Sequence, residues 1–207
     1  MGIISKIAPQ VKNKSRVNVF IDGKFACGLD SLTAAKNRIA EGAEITGEEL
    51  AELVRESESA AAFEKCVGLI FIRPRTEKEI RSYLNEKGYP REVADEITEK
   101  LSGYGYLDDR AFCERFIEAH RANWGSKKIG YELKVHGVAA DVIDECLAEA
   151  GPQTDGALAL ARVYTERAGG FDRNKLFGYL YRKGFTGDII TEALNVLKEE
   201  IAESDGE

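Results

Sequence analysis

The sequence predicts a mainly α-helical chain: three tandem three-helix repeats in an elongated, curved stack, preceded by a small N-terminal β-hairpin or meander. Three observations predict it. An internal pattern recurs three times without a gap, an Asp-Gly dipeptide joins a β-branched and aromatic run to a returning one, and the charge changes sign near residue 40. The 207 residues allow one or two domains at roughly 100–200 residues each. With 43% hydrophobic and 31% charged residues the chain can bury a core.

The first unit reads as strands. Arg16 to Ile21 alternates β-branched and aromatic residues, Asp22-Gly23 is a strong short hairpin signal, and Lys24 to Leu29 returns. Residues 3–11 suggest a third strand, weakened by Pro9. A two-stranded hairpin alone is marginal, so this unit must pack on something. Residues 33–41 and 46–58 read as helices, the second opened by a Thr46/Glu49 capping box. Residues 1–40 hold seven basic and two acidic residues, whereas 41–60 hold seven Glu and one Arg. The glutamates read as a solvated helix face.

The body is the repeat. Ile80, Leu84, Gly88 and Tyr89 recur as Ile129, Leu133, Gly137 and Val138, then as Leu176, Leu180, Gly184 and Phe185. The match continues through Val93, Val142 and Ile189, then Ile97, Cys146 and Ala193, then Leu101, Ala150 and Leu197. Each glycine falls where a helix ends and the left-handed region is needed, which only Gly enters without a Cβ penalty. Helices are predicted at 60–72, 76–88, 90–102, 109–122, 126–137, 139–150, 154–168, 172–184 and 186–203, with Asp108-Asp109 as caps at the start of the second repeat. The domain boundaries that follow are 1–59 for the β unit with its short helices, then 60–108, 109–153 and 154–207 for the repeats, the last with an acidic tail. Such short units cannot bury their apolar faces alone, so stacking must form the core.

Chemical motifs are scarce. There is no phosphate-binding glycine loop, no nucleophile elbow and no HExxH. The four cysteines lie apart with no CxxC, as expected of reduced, buried thiols, and His120 and His136 have no partners in sequence. Neither a catalytic residue, a metal nor a cofactor is expected. Trp124 sits in a loop, as a packing residue or a partner contact. No run approaches about 18 apolar residues and the N-terminus lacks a signal-peptide core, so a cytoplasmic protein with no membrane association is expected.

Basic residues recur around the second helix of every repeat. They are Arg73, Arg75, Lys78, Arg81 and Lys87, then Arg121, Lys127, Lys128 and Lys134, then Arg173, Lys175, Arg182 and Lys183. On a chain of net charge −7 they predict a stripe suited to a phosphate backbone or an acidic protein groove, or surface charges that balance nearby Glu.

At these residues the chain resembles a known family. Arg73-Pro74-Arg75-Thr76 through Ile80, Leu84 and Lys87-Gly88-Tyr89, then Gly105-Tyr106-Leu107-Asp108-Asp109 and Phe112, then Trp124-Gly125, Ile129, Glu132-Leu133 and Gly137-Val138, is similar to bacterial RecX regulatory proteins. The hairpin Arg16-Val17 to Lys24-Phe25 resembles the extension of the longer members. The resemblance implies a non-enzymatic regulator, a monomer, that lies in the helical groove of the RecA recombinase filament on single-stranded DNA. It would limit filament extension, ATP hydrolysis and strand exchange, and so modulate recombination, DNA repair and the SOS response. It also implies that the twelve repeat cations other than Lys87 form the contact face, with single-stranded DNA as a further ligand. Two features depart from the family pattern: the net charge is acidic where some members are strongly basic, and His136 stands where the repeat usually carries Lys or Arg. Two other classes compete: a direct nucleic-acid-binding protein that uses the same stripe, and a generic helical adaptor.

Overall fold

The computed structural model describes residues 1–204. The acidic tail expected at the end of the third repeat lies partly outside them. These residues form two compact units: Met1–Arg73 with Ile80–Tyr106, and Pro74–Glu79 with the chain from Leu107 onward.

The first unit opens with β1 (Gly2–Pro9), β2 (Arg16–Ile21) and β3 (Lys24–Asp30), and a short β4 (Glu44–Ile45) completes an antiparallel sheet of order β3-β2-β1-β4. Asp22 and Gly23 turn the hairpin with φ of 50° and 78°, and Ile21 pairs with Lys24. β1 ends at Pro9, opposite Val17, and the Gln10 N–H just beyond it still donates to the Arg16 carbonyl at 2.9 Å. β4 is too short to show as a pattern in sequence.

Two helical expectations are corrected here. The helix predicted at 33–41 is α1 (Ser31–Lys36); the Asp30 carboxylate accepts the Leu32 and Thr33 N–H groups and starts it early, and the chain leaves it at Arg38, φ 53°. The two helices predicted at 46–58 and 60–72 are one, α2 (Gly47–Ile72). No Gly or Pro interrupts residues 48–67, and Ser57, next to the expected break, is buried and accepts the Asp30 N–H at 2.5 Å. The division placed at 59/60 therefore falls inside α2. Leu53 and its neighbours lay α2 on the sheet core of Ile4, Val19, Leu29 and Ile45. The Thr46/Glu49 capping box is present.

Repeat one continues with α3 (Glu77–Glu86) and α4 (Arg91–Gly103). Repeat two is α5 (Asp109–His120), α6 (Ser126–His136) and α7 (Ala140–Glu149), and repeat three is α8 (Thr154–Ala168), α9 (Arg173–Arg182) and α10 (Gly187–Ser204). Gly88, Gly137 and Gly184 hold φ of 83°, 94° and 90°. The residue after each donates to the carbonyl five back: Tyr89 to Leu84 and Val138 to Leu133 at 3.1 Å, Phe185 to Leu180 at 3.3 Å. These are Schellman closures, as the spacing predicts. Asp108 caps α5 through the Ala111 N–H. One stripe shifts by a residue: Ala94, Ile143 and Ile190 are the buried set, and Val93, Val142 and Ile189 are half-buried beside them.

The same joint occurs twice in the second unit. The Thr76 hydroxyl, just before α3, donates to the His136 carbonyl at 2.6 Å. The Gly125 N–H, just before α6, donates to the Lys183 carbonyl at 2.9 Å, and Lys127 N–H follows to Gly184. Each second-helix start thus seats on the glycine turn of the next repeat.

Two expected outcomes follow from burial and charge. Cys66, Cys113 and Cys146 are buried, and burial pushes the Cys66 thiol up to about 11 and the Cys113 thiol also upward. The thiolate is the reactive form, so at about pH 8 Ellman's reagent should leave Cys66 and Cys113 unlabelled until denaturant is added; rapid native labelling of both would contradict this packing. Bonds from Thr46 hold the Glu49 carboxyl below its ordinary value, those from Lys36 and Asn37 do so for Glu56, and the Lys175 N–H leads for Asp172. Folded-state values below unfolded ones mean stability that is present above the ordinary carboxylate range and is lost as pH falls through the folded values. The melting temperature should fall below about pH 4; a rise on acidification would contradict these bonds.

Candidate partner-binding face

The twelve predicted cations fall into different environments. Lys78 and Arg75 belong to a joint. The Lys78 stem lies over Gly137 and its ammonium donates to the Val135 carbonyl at 3.2 Å. Arg75 reaches Glu79 at 3.7 Å, and Glu79 in turn meets His136 Nδ1 at 3.0 Å. Lys128 sets its backbone and Cβ against Gly184 and its ammonium 4.2 Å from the Trp124 ring centre. Other cations are tied to polar groups: Arg81 to Asp95, Arg121 to Glu118, Arg173 to Asn195, and Lys175 to Asp172. Lys183 caps α9 and points its ammonium at Tyr179, while Arg73 caps α2.

Lys127, Lys134 and Arg182 remain exposed and have no ion pair among the described residues. The elements explain how two of them share a surface. Lys127, Tyr131 and Lys134 stand at i, i+4 and i+7 on α6, hence on one face. The Lys127 ammonium lies 5.3 Å from the Tyr181 ring centre, which brings that face to α9. α9 supplies the third exposed cation, Arg182, one position along from Tyr181 and about 100° round the helix. Tyr181 stacks with Phe177 at 6.4 Å. Tyr131 is 66% exposed and Tyr181 56%, so the face mixes cations with open aromatic rings.

Sequence reasoning reaches the cations of this face and misses its rings. The four-residue spacing of Lys127 and Tyr131 is a usable signal for one ring. The approach of Tyr181 depends on the seating of Gly125 and Lys127 on the α9 turn, which no local pattern encodes. The aligned pairs Lys78/Lys127 and Lys128/Lys175 also diverge in role, because equal positions in a repeat meet unequal neighbours.

The two histidines share a second cluster. His120 stacks on Trp124 at 4.2 Å and on Phe116 at 4.4 Å, and His136 lies 5.4 Å from Phe112 and from Phe116. Trp124 is thus a half-buried packing residue that also faces Lys128. No group of three His, Cys, Asp or Glu is placed to hold a metal among the described residues, and no helix there is long and apolar enough to cross a membrane.

Comparison with known proteins covers nearly the whole chain. Three family models match: the regulatory protein RecX N-terminal domain at residues 2–46, the first RecX three-helix domain at 62–101 and the second at 108–147. A regulatory protein RecX of Clostridium botulinum strain Eklund 17B is 32% identical over 209 residues, covering 97% of each chain. One from Bacillus licheniformis is 30% identical over 202 residues, covering 94% of this chain and 77% of its own. A crystal structure of regulatory protein RecX superposes with a TM-score of 0.75 at 27% identity, over 91% of this chain and 97% of that one.

Proposed function

Because the chain belongs to the regulatory protein RecX family, we propose that it is a non-enzymatic regulator of the RecA recombinase. It docks in the helical groove of the filament on single-stranded DNA and restrains filament extension, ATP hydrolysis and strand exchange, and with them recombination, DNA repair and the SOS response. The observation that carries this reading is the α6/α9 face, where Lys127, Lys134 and Arg182 stand unpaired among open tyrosines on a chain of net charge −7. Unpaired cations concentrated on one face steer a protein to a polyanionic surface even when its total charge is negative. Aromatic and Arg side chains beside them are the residue types that dominate interface energetics.

The test is co-sedimentation with RecA filaments assembled on single-stranded DNA. The chain should pellet with filaments and stay in the supernatant with the DNA alone. Absence from the filament pellet would contradict the reading.

One observation favours a second reading, direct binding of single-stranded nucleic acid: the Lys127 ammonium sits beside the Tyr181 ring, with Tyr131 open nearby. Cations interleaved with aromatic rings also suit stacked bases. Steeply salt-dependent binding to bare single-stranded DNA would support it.

A further inference from the structure

A cleft of about 780 Å3 opens in the first unit between α1, α2 and α4. Phe63, Ile97 and Tyr104 line it, and Leu32 contributes from α1. Phe63 meets Tyr104 edge-on at 5.9 Å. The rings then continue outward, Tyr104 to Tyr106 at 6.3 Å and Tyr106 to Phe71 at 6.4 Å. These are not buried residues: Leu32 is 73% exposed, Tyr104 71% and Phe71 78%. Contiguous open apolar surface of this kind marks a docking site more often than an ordinary surface.

Shape and charge specify the occupant. Phe63 and Phe71 lie eight residues apart on α2, about 12 Å at 1.5 Å per residue, so the ring ladder extends slightly over two helical turns along it. A helix with an apolar stripe fits such a line, as in helix-in-groove recognition. The polar rim is acidic on balance. Its cations Lys36, Arg55 and Lys100 are each held by a glutamate of the same rim, Glu56, Glu52 and Glu96. Two carboxylates have no cation among the described residues: Asp30, which is buried and caps α1, and the exposed Glu64.

We propose that this cleft and its ring ladder receive an amphipathic helix of a partner protein, its apolar stripe flanked by Lys and Arg. The site shares no residue with the α6/α9 face and gives the N-terminal unit a recognition role of its own.

The test uses the full chain and a fluorescein-labelled synthetic helix with a leucine stripe flanked by lysines, read by anisotropy. Its twin carries glutamate in place of each lysine. The lysine peptide should bind saturably, and the glutamate twin on the order of tenfold more weakly. Leu32→Asp with Tyr104→Asp should weaken the lysine peptide by a similar factor without changing the circular dichroism, since both side chains are exposed; Phe71→Asp serves as a second, independent variant. Lys127→Glu should leave peptide binding unchanged. Absence of saturation, equal binding of the twin, or wild-type binding by the double variant and by Phe71→Asp would overturn the proposal. So would sedimentation velocity that shows the wild-type chain self-associating and the double variant not, because the occupant would then be a second copy.

Discussion

Gly125→Ala is expected to destabilise the chain by about 3 kcal/mol, the upper end for overpacking a tight site. Gly125 has φ of −80°, so alanine meets no backbone penalty there. The cost is purely steric. A Cβ at this position would fall inside contact distance of the Phe185 nitrogen and the Gly184 carbonyl, and backbone cannot swing aside as a side chain does. Gly184→Ala should cost a comparable amount for two reasons at once: its φ is 90°, and its Cβ would stand 2.5 Å from the Lys128 Cβ and 2.6 Å from the Lys128 nitrogen. Gly88→Ala is the calibrating case. It has the same left-handed backbone, φ 83°, with nothing near the added methyl, so only the conformational cost of about 1–2 kcal/mol applies. Thermal melts of the three variants check the order. Equal losses at Gly88 and Gly125 would mean that the seating of one repeat on the next is not tight.

Reversing Lys127, Lys134 and Arg182 to Glu together is expected to weaken inhibition of RecA filaments at least tenfold, about 1.4 kcal/mol. Each exposed charge alone contributes about 0–1 kcal/mol, so single reversals should be nearly silent. Charges that act on one partner surface add, each screened over the Debye length of about 8 Å at physiological salt. Fold should survive, because the three side chains are exposed and carry no ion pair among the described residues. Lys78 and Lys128 are poor choices for this test: the Lys78 stem covers Gly137 and the Lys128 ammonium packs on the Trp124 ring, so a loss there would confound binding with folding. Glu58→Lys with Glu99→Lys, both exposed, is the control and should not reduce inhibition. Unchanged inhibition by the triple variant at about 150 mM salt would remove the α6/α9 face from the contact.

Local chemistry made most of the architecture readable. The glycine turns, the Asp22-Gly23 hairpin and the Thr46/Glu49 cap are short-range devices, and each occurs where its residues predict. What escaped depends on contacts between distant segments. The helix break expected after residue 58 is absent, and Ser57 just before it is buried and takes up the Asp30 N–H. The Thr76 hydroxyl serves both the Glu79 N–H and the His136 carbonyl, 60 residues away in sequence. The candidate face was half legible for the same reason. Its cations stand out against an acidic chain, while the rings that flank them gather only when α6 seats on the α9 turn.

The central claim is that this member of the RecX family restrains the RecA filament through its repeats. The most direct measurement is the ATPase activity of RecA on single-stranded DNA, titrated with the chain at fixed filament concentration. A saturable fall in rate is expected, which the triple variant of Lys127, Lys134 and Arg182 reproduces only at far higher concentration. A rate that stays flat across the titration, or falls equally with wild type and variant, would contradict it.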